Sequence, residues 1–135
     1  MATMTVQLRN IPDTEAAVGW AGAHTIVVDR PAGIAGGTGL GFNGGQLLAL
    51  AIGGCFCNDL RYVAHARGVG LGSIAAKVTL ELAGEPLLAT SAMIAVECET
   101  TDGSDPHAII AEAERISTVS NSLKAGVAVH VAAPA

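Results

Sequence analysis

The stretch Gly44–Gly68, GGQLLALAIGGCFCNDLRYVAHARG, limits what this chain can fold into more than any other. Its spacing predicts a helix, and as a single helix it runs about 36 Å, longer than a small domain is wide. The first half, Leu47–Cys57, is apolar on every side. A helix of that kind must be covered all round, either in a large core or between subunits. Asn58, Arg61 and His65 form a polar stripe only in the second half. Gly53-Gly54 costs about 2 kcal/mol of helix propensity relative to two alanines. Close approach of another helix, such as the same helix of a second subunit, would account for that cost.

Composition points the same way. The 135 residues are enough for one domain, 1–135, with a modest core. Half are hydrophobic, yet Trp, Tyr and Phe together make up only 3%. The core is therefore built from Ala, Val, Ile and Leu, which bury less area per residue than rings do. With 14% charged residues, little polar surface is left to cover a monomer, which favours an oligomer. The net charge of −5 and the lack of a basic patch argue against nucleic acid. The N-terminus, MATMTVQLRN, has neither a basic start nor a long apolar run, so no signal peptide is read. Asn58, Asp59 and Arg61 interrupt the best membrane-length segment. The expectation is a cytoplasmic protein without membrane contact. Three cysteines in such a compartment do not make a disulfide scaffold.

Around the helix the chain reads as strands, helix, strands, helices, strand. TMTVQLR at residues 3–9 alternates, and HTIVV (His24–Val28) is β-branched and apolar, so a two- or three-stranded antiparallel unit opens the chain. Asp29–Asn43 is a Gly-rich loop containing Gly39-x-Gly41-x-x-Gly44. A dinucleotide fingerprint needs a strand immediately before it, and here the strand ends near Asp29. The simpler reading is a connection lying so close to other backbone that Cβ atoms would clash. Ile74–Leu82 and Ser91–Thr100 alternate and form an antiparallel pair turning at Gly84–Pro86. Ser104 or Asp105 caps a helix that carries Ile109, Ile110, Ala113 and Ile116. A short helix over Ser117–Lys124 stops at Gly126, and Val127–Val131 is a last strand. The class is α+β with antiparallel sheet.

The thiols on the long helix differ in surroundings. Cys55 and Cys57 lie about 200° apart around the axis and cannot bond to each other without breaking it. Cys57 and Cys98 fit as small buried hydrophobes. Cys55 shares a face with Leu48, Ala51, Ile52, Tyr62, Ala66 and, one turn on, Asp59. A buried carboxylate beside apolar neighbours is costly unless paired, and it disfavours a thiolate. A reactive Cys55 therefore calls for a cation, with Arg9, Arg30, His24 and Arg61 as candidates; otherwise it is a structural thiol. His24, His65, His107 and His130 have no ligand-like spacing, so no metal or cofactor is expected.

LGFNGGQLLALAIGGCFCNDLRYVAHARG resembles the central segment of OsmC/Ohr-like proteins, with their Gly-rich lead, xLLLxALxxC helix and basic, Gly-containing helix end. HTIVVDRPAGIAGGTGLG is similar to the strand and loop before that helix in the OsmC-like branch. AERISTVSNSLKAGVAVHV is similar to the family's CPVSxxL segment and last strand. The resemblance implies antiparallel sheets wrapped around long central helices in an intertwined homodimer. It also implies a thiol-dependent organic hydroperoxide reductase of oxidative-stress defence, in which a cysteine at the position of Cys55 becomes a sulfenic acid. In the family a resolving cysteine then closes a disulfide. Here that position is Ser117, its following Pro is Thr118, and the usual Pro-Glu-Glu at the helix start is Gly44-Gly45-Gln46. Asp59 recurs in an OsmC-like branch. The catalytic expectation is thus Cys55, with Asp59 and Ser117 in support and an external thiol as reductant. The competing expectation is a non-catalytic dimer of the same fold that binds a small apolar ligand or partner.

Overall fold

The computed structural model describes residues 1–132 and 134. The elements run β1 (Gln7–Asn10), β2 (Ala17–Ala21), β3 (His24–Val28), α1 (Gly44–Ala66), β4 (Leu71–Ala83), β5 (Leu88–Thr100), α2 (His107–Ile116) and α3 (Thr118–Ala125). This is the expected α+β order with antiparallel sheets. The chain forms two compact units, Met1–Leu48 and Ala49–Ala135. Helix α1 begins in the first and continues through the second.

The first unit is a three-stranded meander, β1-β2-β3, with Arg9 opposite Val18 and Val18 opposite Val27. The first strand is shorter than its alternation predicts. Pairing begins at Gln7, opposite Trp20. The Gly-rich loop then returns alongside β3: Phe42 N–H donates to Val27 O at 3.0 Å, and Asp29 N–H donates to Phe42 O at 3.0 Å. A Cβ at Gly41 would run into the Val27 carbonyl, so only glycine fits there. Helix α1 opens on a reciprocal cap. Gln46 N–H donates to Asn43 Oδ1 (2.9 Å), and Asn43 N–H donates to Gln46 Oε1 (3.0 Å).

In the second unit α1 packs against a long hairpin and α2. Strands β4 and β5 pair antiparallel from Leu71/Thr100 to Ala83/Leu88, with register shifts at each end. Phe56, Leu60, Val63 and Ala64 of α1 meet Ile109 and Ala113 of α2, and Leu71, Ile74, Ile94 and Val96 close over them. Each large apolar side chain buried here contributes roughly 1.5–3 kcal/mol. The α1 terminus is fixed by paired bonds, Val69 N–H to Ala64 O and Gly68 N–H to His65 O, with Gly68 at φ 67°. Arg61 secures the start of β4: its Nη1 donates to Leu71 O (2.8 Å) and its Nη2 to Gly72 O (3.2 Å), where the ladder is irregular.

Within this chain α1 is covered along one face. Its buried residues are Ile52, Gly53, Phe56, Asp59, Leu60, Val63 and Ala64, while Leu50, Ala51, Gly54 and Tyr62 are exposed. Gly53 makes room for a strand: a Cβ there would lie 2.8 Å from Val78 Cγ2. Two expectations change. First, the residue capping α2 is Pro106; Asp105 assists by accepting the His107 N–H at 3.0 Å. Second, Val127–Val131 pairs with no strand among the described residues. Val127, Val129 and Val131 are 63%, 84% and 95% exposed. A strand needs an adjacent edge to supply its hydrogen bonds, and the segment takes none from the two sheets described.

By length and composition α1 is able to cross a membrane, with a mean hydropathy of 1.3 over its best 18-residue window. Its inward face is occupied by the core contacts just described.

Candidate functional site

Cys55 lies on α1 one turn before Asp59, and a helix places residues four apart on neighbouring surface. The Cys55 thiol donates to Asp59 Oδ2 at 3.5 Å. From the far end of the unit, Ser117 Oγ donates to the Cys55 sulfur at 3.7 Å. The three residues named from sequence and resemblance therefore form one hydrogen-bonded line of contacts: hydroxyl to thiol, thiol to carboxylate.

Burial gives this line its character. Asp59 is 6% exposed and Ser117 fully buried, while Cys55 is intermediate. Asp59 stands among Phe56, Leu60 and Val63, and the thiol is the only hydrogen-bond partner its side chain has among the described residues. A carboxylate taken from water with so little compensation is expensive. The arrangement persists because the core residues on either side of Asp59 hold that face of α1 inward.

Ser117 occupies the joint between two helices. It is the C-cap of α2 and the N-cap of α3, with φ −62° and ψ 112°. A serine at an N-cap usually accepts a hydrogen bond from the first turn, which is worth about 1 kcal/mol. Ser117 makes no such side-chain bond, because its hydroxyl is directed at the sulfur. The joint is held by backbone and by Asn121, whose N–H donates to Ser117 O and whose Nδ2 donates to Arg115 O, both at 2.9 Å. The sulfur thus lies beside the N-cap of α3, the helix end that carries partial positive charge.

The cation expected beside Cys55 is not supplied within this unit. Arg61 is committed to the β4 carbonyls and Arg115 to Glu112. Among the described residues of the unit, no guanidinium hydrogen-bonds to the sulfur. In the first unit, Arg30 Nη2 donates to Glu15 O (2.7 Å) and to Asp29 Oδ1 (3.3 Å), while Arg9 and His24 lie on β1 and β3. The other thiols are free. Cys57 is half-buried. Cys98 lines an open depression of about 450 Å³ with Val96, Glu97, Glu99, Pro106 and Ile110, and burial raises its thiol pKa above the ordinary value. Cys55 does not line that depression. No group of three or more His, Cys, Asp or Glu among the described residues is arranged to hold a metal ion.

The Gly-rich loop resolves on a residue that sequence reasoning passed over. Asp29, its side chain fully buried, collects the amides that a phosphate would otherwise use. Thr38 N–H and Oγ1 and Leu40 N–H donate to its Oδ2, and Arg30 N–H and Nη2 donate to its Oδ1. The amide of Leu40, with those of Arg30 and Thr38, holds the carboxyl below the ordinary carboxylate range, against the opposing effect of burial. The loop carries its own anion, which agrees with a structural and not a nucleotide-binding role. An aspartate at the junction of a strand and a Gly-rich turn was the available signal.

A family model described as OsmC-like protein matches residues 37–132. No curated protein sequence matches the chain significantly. Among solved structures, the chain is similar to an OsmC-like protein of unknown function from Vibrio cholerae (12% identity, TM-score 0.77, covering 90% of this chain and 94% of that one). It is similar to an organic hydroperoxide resistance protein OsmC from Legionella pneumophila (20% identity, TM-score 0.64, 92% and 90%). It is also similar to the organic hydroperoxide resistance protein OhrB of Bacillus subtilis (18% identity, TM-score 0.59, 91% of each chain). At these identities the likeness is one of fold.

Proposed function

We propose, from the premise that this chain belongs to the OsmC-like family, that it reduces organic hydroperoxides through a single reactive thiol, Cys55. The observation that carries the reading is the Asp59–Cys55–Ser117 line. A thiol kept only for packing has no need of a buried carboxylate on one side and a buried hydroxyl on the other. Two solved relatives of the same fold are organic hydroperoxide resistance proteins, which supports the substrate class.

The cycle balances with one protein thiol. The Cys55 sulfur attacks the terminal oxygen of the hydroperoxide, the O–O bond breaks, and the products are a sulfenic acid and an alcohol. Ser117 cannot close a disulfide, so an external thiol condenses with the sulfenic acid and releases water. A second external thiol then exchanges and restores Cys55. The working form is a cytoplasmic homodimer. The exposed residues Leu50, Ala51 and Gly54 of α1 and the unpaired valines of Val127–Val131 are the surfaces a second copy would cover.

The test is consumption of tert-butyl or cumene hydroperoxide by the purified protein with a dithiol reductant. Turnover is expected in the parent protein and its loss in Cys55→Ser. No turnover, together with a Cys55 inert to sulfenic-acid probes, refutes the proposal. One observation favours a second reading: among the described residues of its unit, the sulfur has neither a guanidinium nor a second thiol beside it. In that reading the dimer is non-catalytic and binds a small apolar ligand or partner, and the same negative result would select it.

A further inference from the structure

Four facts on the Cys55 side of α1 go together. The thiol is the donor toward Asp59 Oδ2, so its proton already lies on the line to the carboxylate. Asp59 has no other side-chain partner among the described residues, so its oxygens are not committed elsewhere. Ser117 donates to the sulfur and competes for none of the carboxylate's capacity. Arg61, the guanidinium nearest in sequence, is bonded to two strand carbonyls. A thiol can be activated by a neighbouring cation that stabilises the thiolate, or by a base that removes the proton as the sulfur attacks. The second route is the one these residues equip.

We propose that Asp59 is the general base for Cys55 and returns the proton to the leaving group. This rests on Cys55 being the reacting thiol. As the sulfur attacks the terminal oxygen, the S–H proton passes to Asp59 Oδ2. The O–O bonding pair leaves on the alkoxide, which takes that proton and departs as the alcohol. The terminal oxygen keeps its own hydrogen and becomes the sulfenic acid hydroxyl. Sulfur is oxidised, the peroxide is reduced, and no further co-reactant enters the step. Ser117 donates to the sulfur, so its hydroxyl helps to fix the orientation of the thiol.

A positioned base contributes about 10²–10⁴-fold in rate. The test compares the parent protein, Asp59→Asn and Asp59→Glu at neutral pH against two electrophiles, tert-butyl hydroperoxide and iodoacetamide, with modification read at the Cys55 peptide by mass spectrometry. Asparagine keeps an acceptor oxygen near the thiol but cannot take its proton. Both reactions should slow by about 10²–10⁴-fold in Asp59→Asn and recover substantially in Asp59→Glu. Asp59→Asn rates equal to or above the parent's overturn the proposal, because the carboxylate would then be only a repelling charge. If the parent protein is alkylated in an Asp59-dependent way yet ignores hydroperoxide, the base stands and the peroxidase reading falls. If the parent consumes hydroperoxide and Asp59→Asn does so as well, the reverse holds. Should Asp59→Asn fail to fold, the parent protein decides: slower Cys55 alkylation in heavy water supports proton transfer in the rate-limiting step, and an equal or faster rate overturns it.

Discussion

Ser117→Cys is the perturbation whose result the geometry fixes most tightly. The Ser117 hydroxyl lies 3.7 Å from the Cys55 sulfur, and a disulfide requires about 2.05 Å. The missing distance of roughly 1.6 Å is within reach of small side-chain rotations at the two positions. The bond would join residues 62 apart in sequence. Closing a loop of that length removes about 14 cal/mol/K of unfolded-state entropy, or roughly 4 kcal/mol at 25 °C. For a domain of this size that corresponds to a Tm rise of roughly 10–20 °C, an upper value because any native strain subtracts from it. The assay adds one equivalent of tert-butyl hydroperoxide to Ser117→Cys. Intact mass should fall by two hydrogens, two free thiols should disappear, and the melt should shift upward until dithiothreitol restores it. The parent protein, with no thiol at position 117, should show a trapped sulfenic acid instead. A variant that forms the sulfenic acid at Cys55 but never the cross-link would refute the adjacency of the two positions.

Two further predictions concern stability and assembly. Asp29 has its pKa lowered in the fold from the ordinary 3.8, so it stabilises the folded state above that pH and the contribution is lost as pH falls through the lower folded value. Melts between pH 6 and pH 2.5 should show an acid-sensitive component that Asp29→Asn removes; identical pH profiles for the two proteins would contradict the role of the carboxyl. At the helix glycines, Ala at Gly54 meets nothing within 4 Å in this chain, whereas Ala at Gly53 meets Val78. Gly53→Ala should therefore incur an overpacking cost of about 1–3 kcal/mol, offset in part by a helix gain of about 1, while Gly54→Ala should keep the monomer fold and weaken the proposed dimer by light scattering. A Gly54→Ala protein that dimerises normally would remove that residue from the interface.

The sequence made the elements legible wherever one periodicity dominated. Helix α1, the hairpin, α2, α3 and the stop at Gly126 follow from spacing, capping and turn chemistry. The segment 127–131 alternates as well as β5 does, yet it forms no strand here. Periodicity reports which face a segment would bury, while pairing depends on an available edge. The true inward face of α1, centred on Phe56 and Leu60 and not on Cys55, depends on where α2 and the hairpin dock, and no local pattern carries that. At the candidate site, Cys55 and Asp59 were adjacent by helical arithmetic alone. Ser117 is legible only through resemblance, since no pattern within the chain links positions so far apart. Asp29 was missed because three of its donors are backbone amides, which leave no residue-type signature, so its position before the Gly-rich turn was the one local signal.

The two polar clusters also differ in when they can form. Asp29 bonds to groups nine and eleven residues away, and loops of about ten residues close in roughly 10–100 ns. The Ser117–Cys55 contact spans 62 residues, and closing a segment that long costs roughly 1.5 kcal/mol more entropy than closing ten. Contacts of the first kind can be in place before the hairpin and α2 have docked. Contacts of the second kind wait for them. The environment of Cys55 is therefore a late product of folding, and its thiol serves as a native-state reporter: a chain trapped before docking would already hold its Gly-rich loop, yet present Cys55 with no hydroxyl from Ser117.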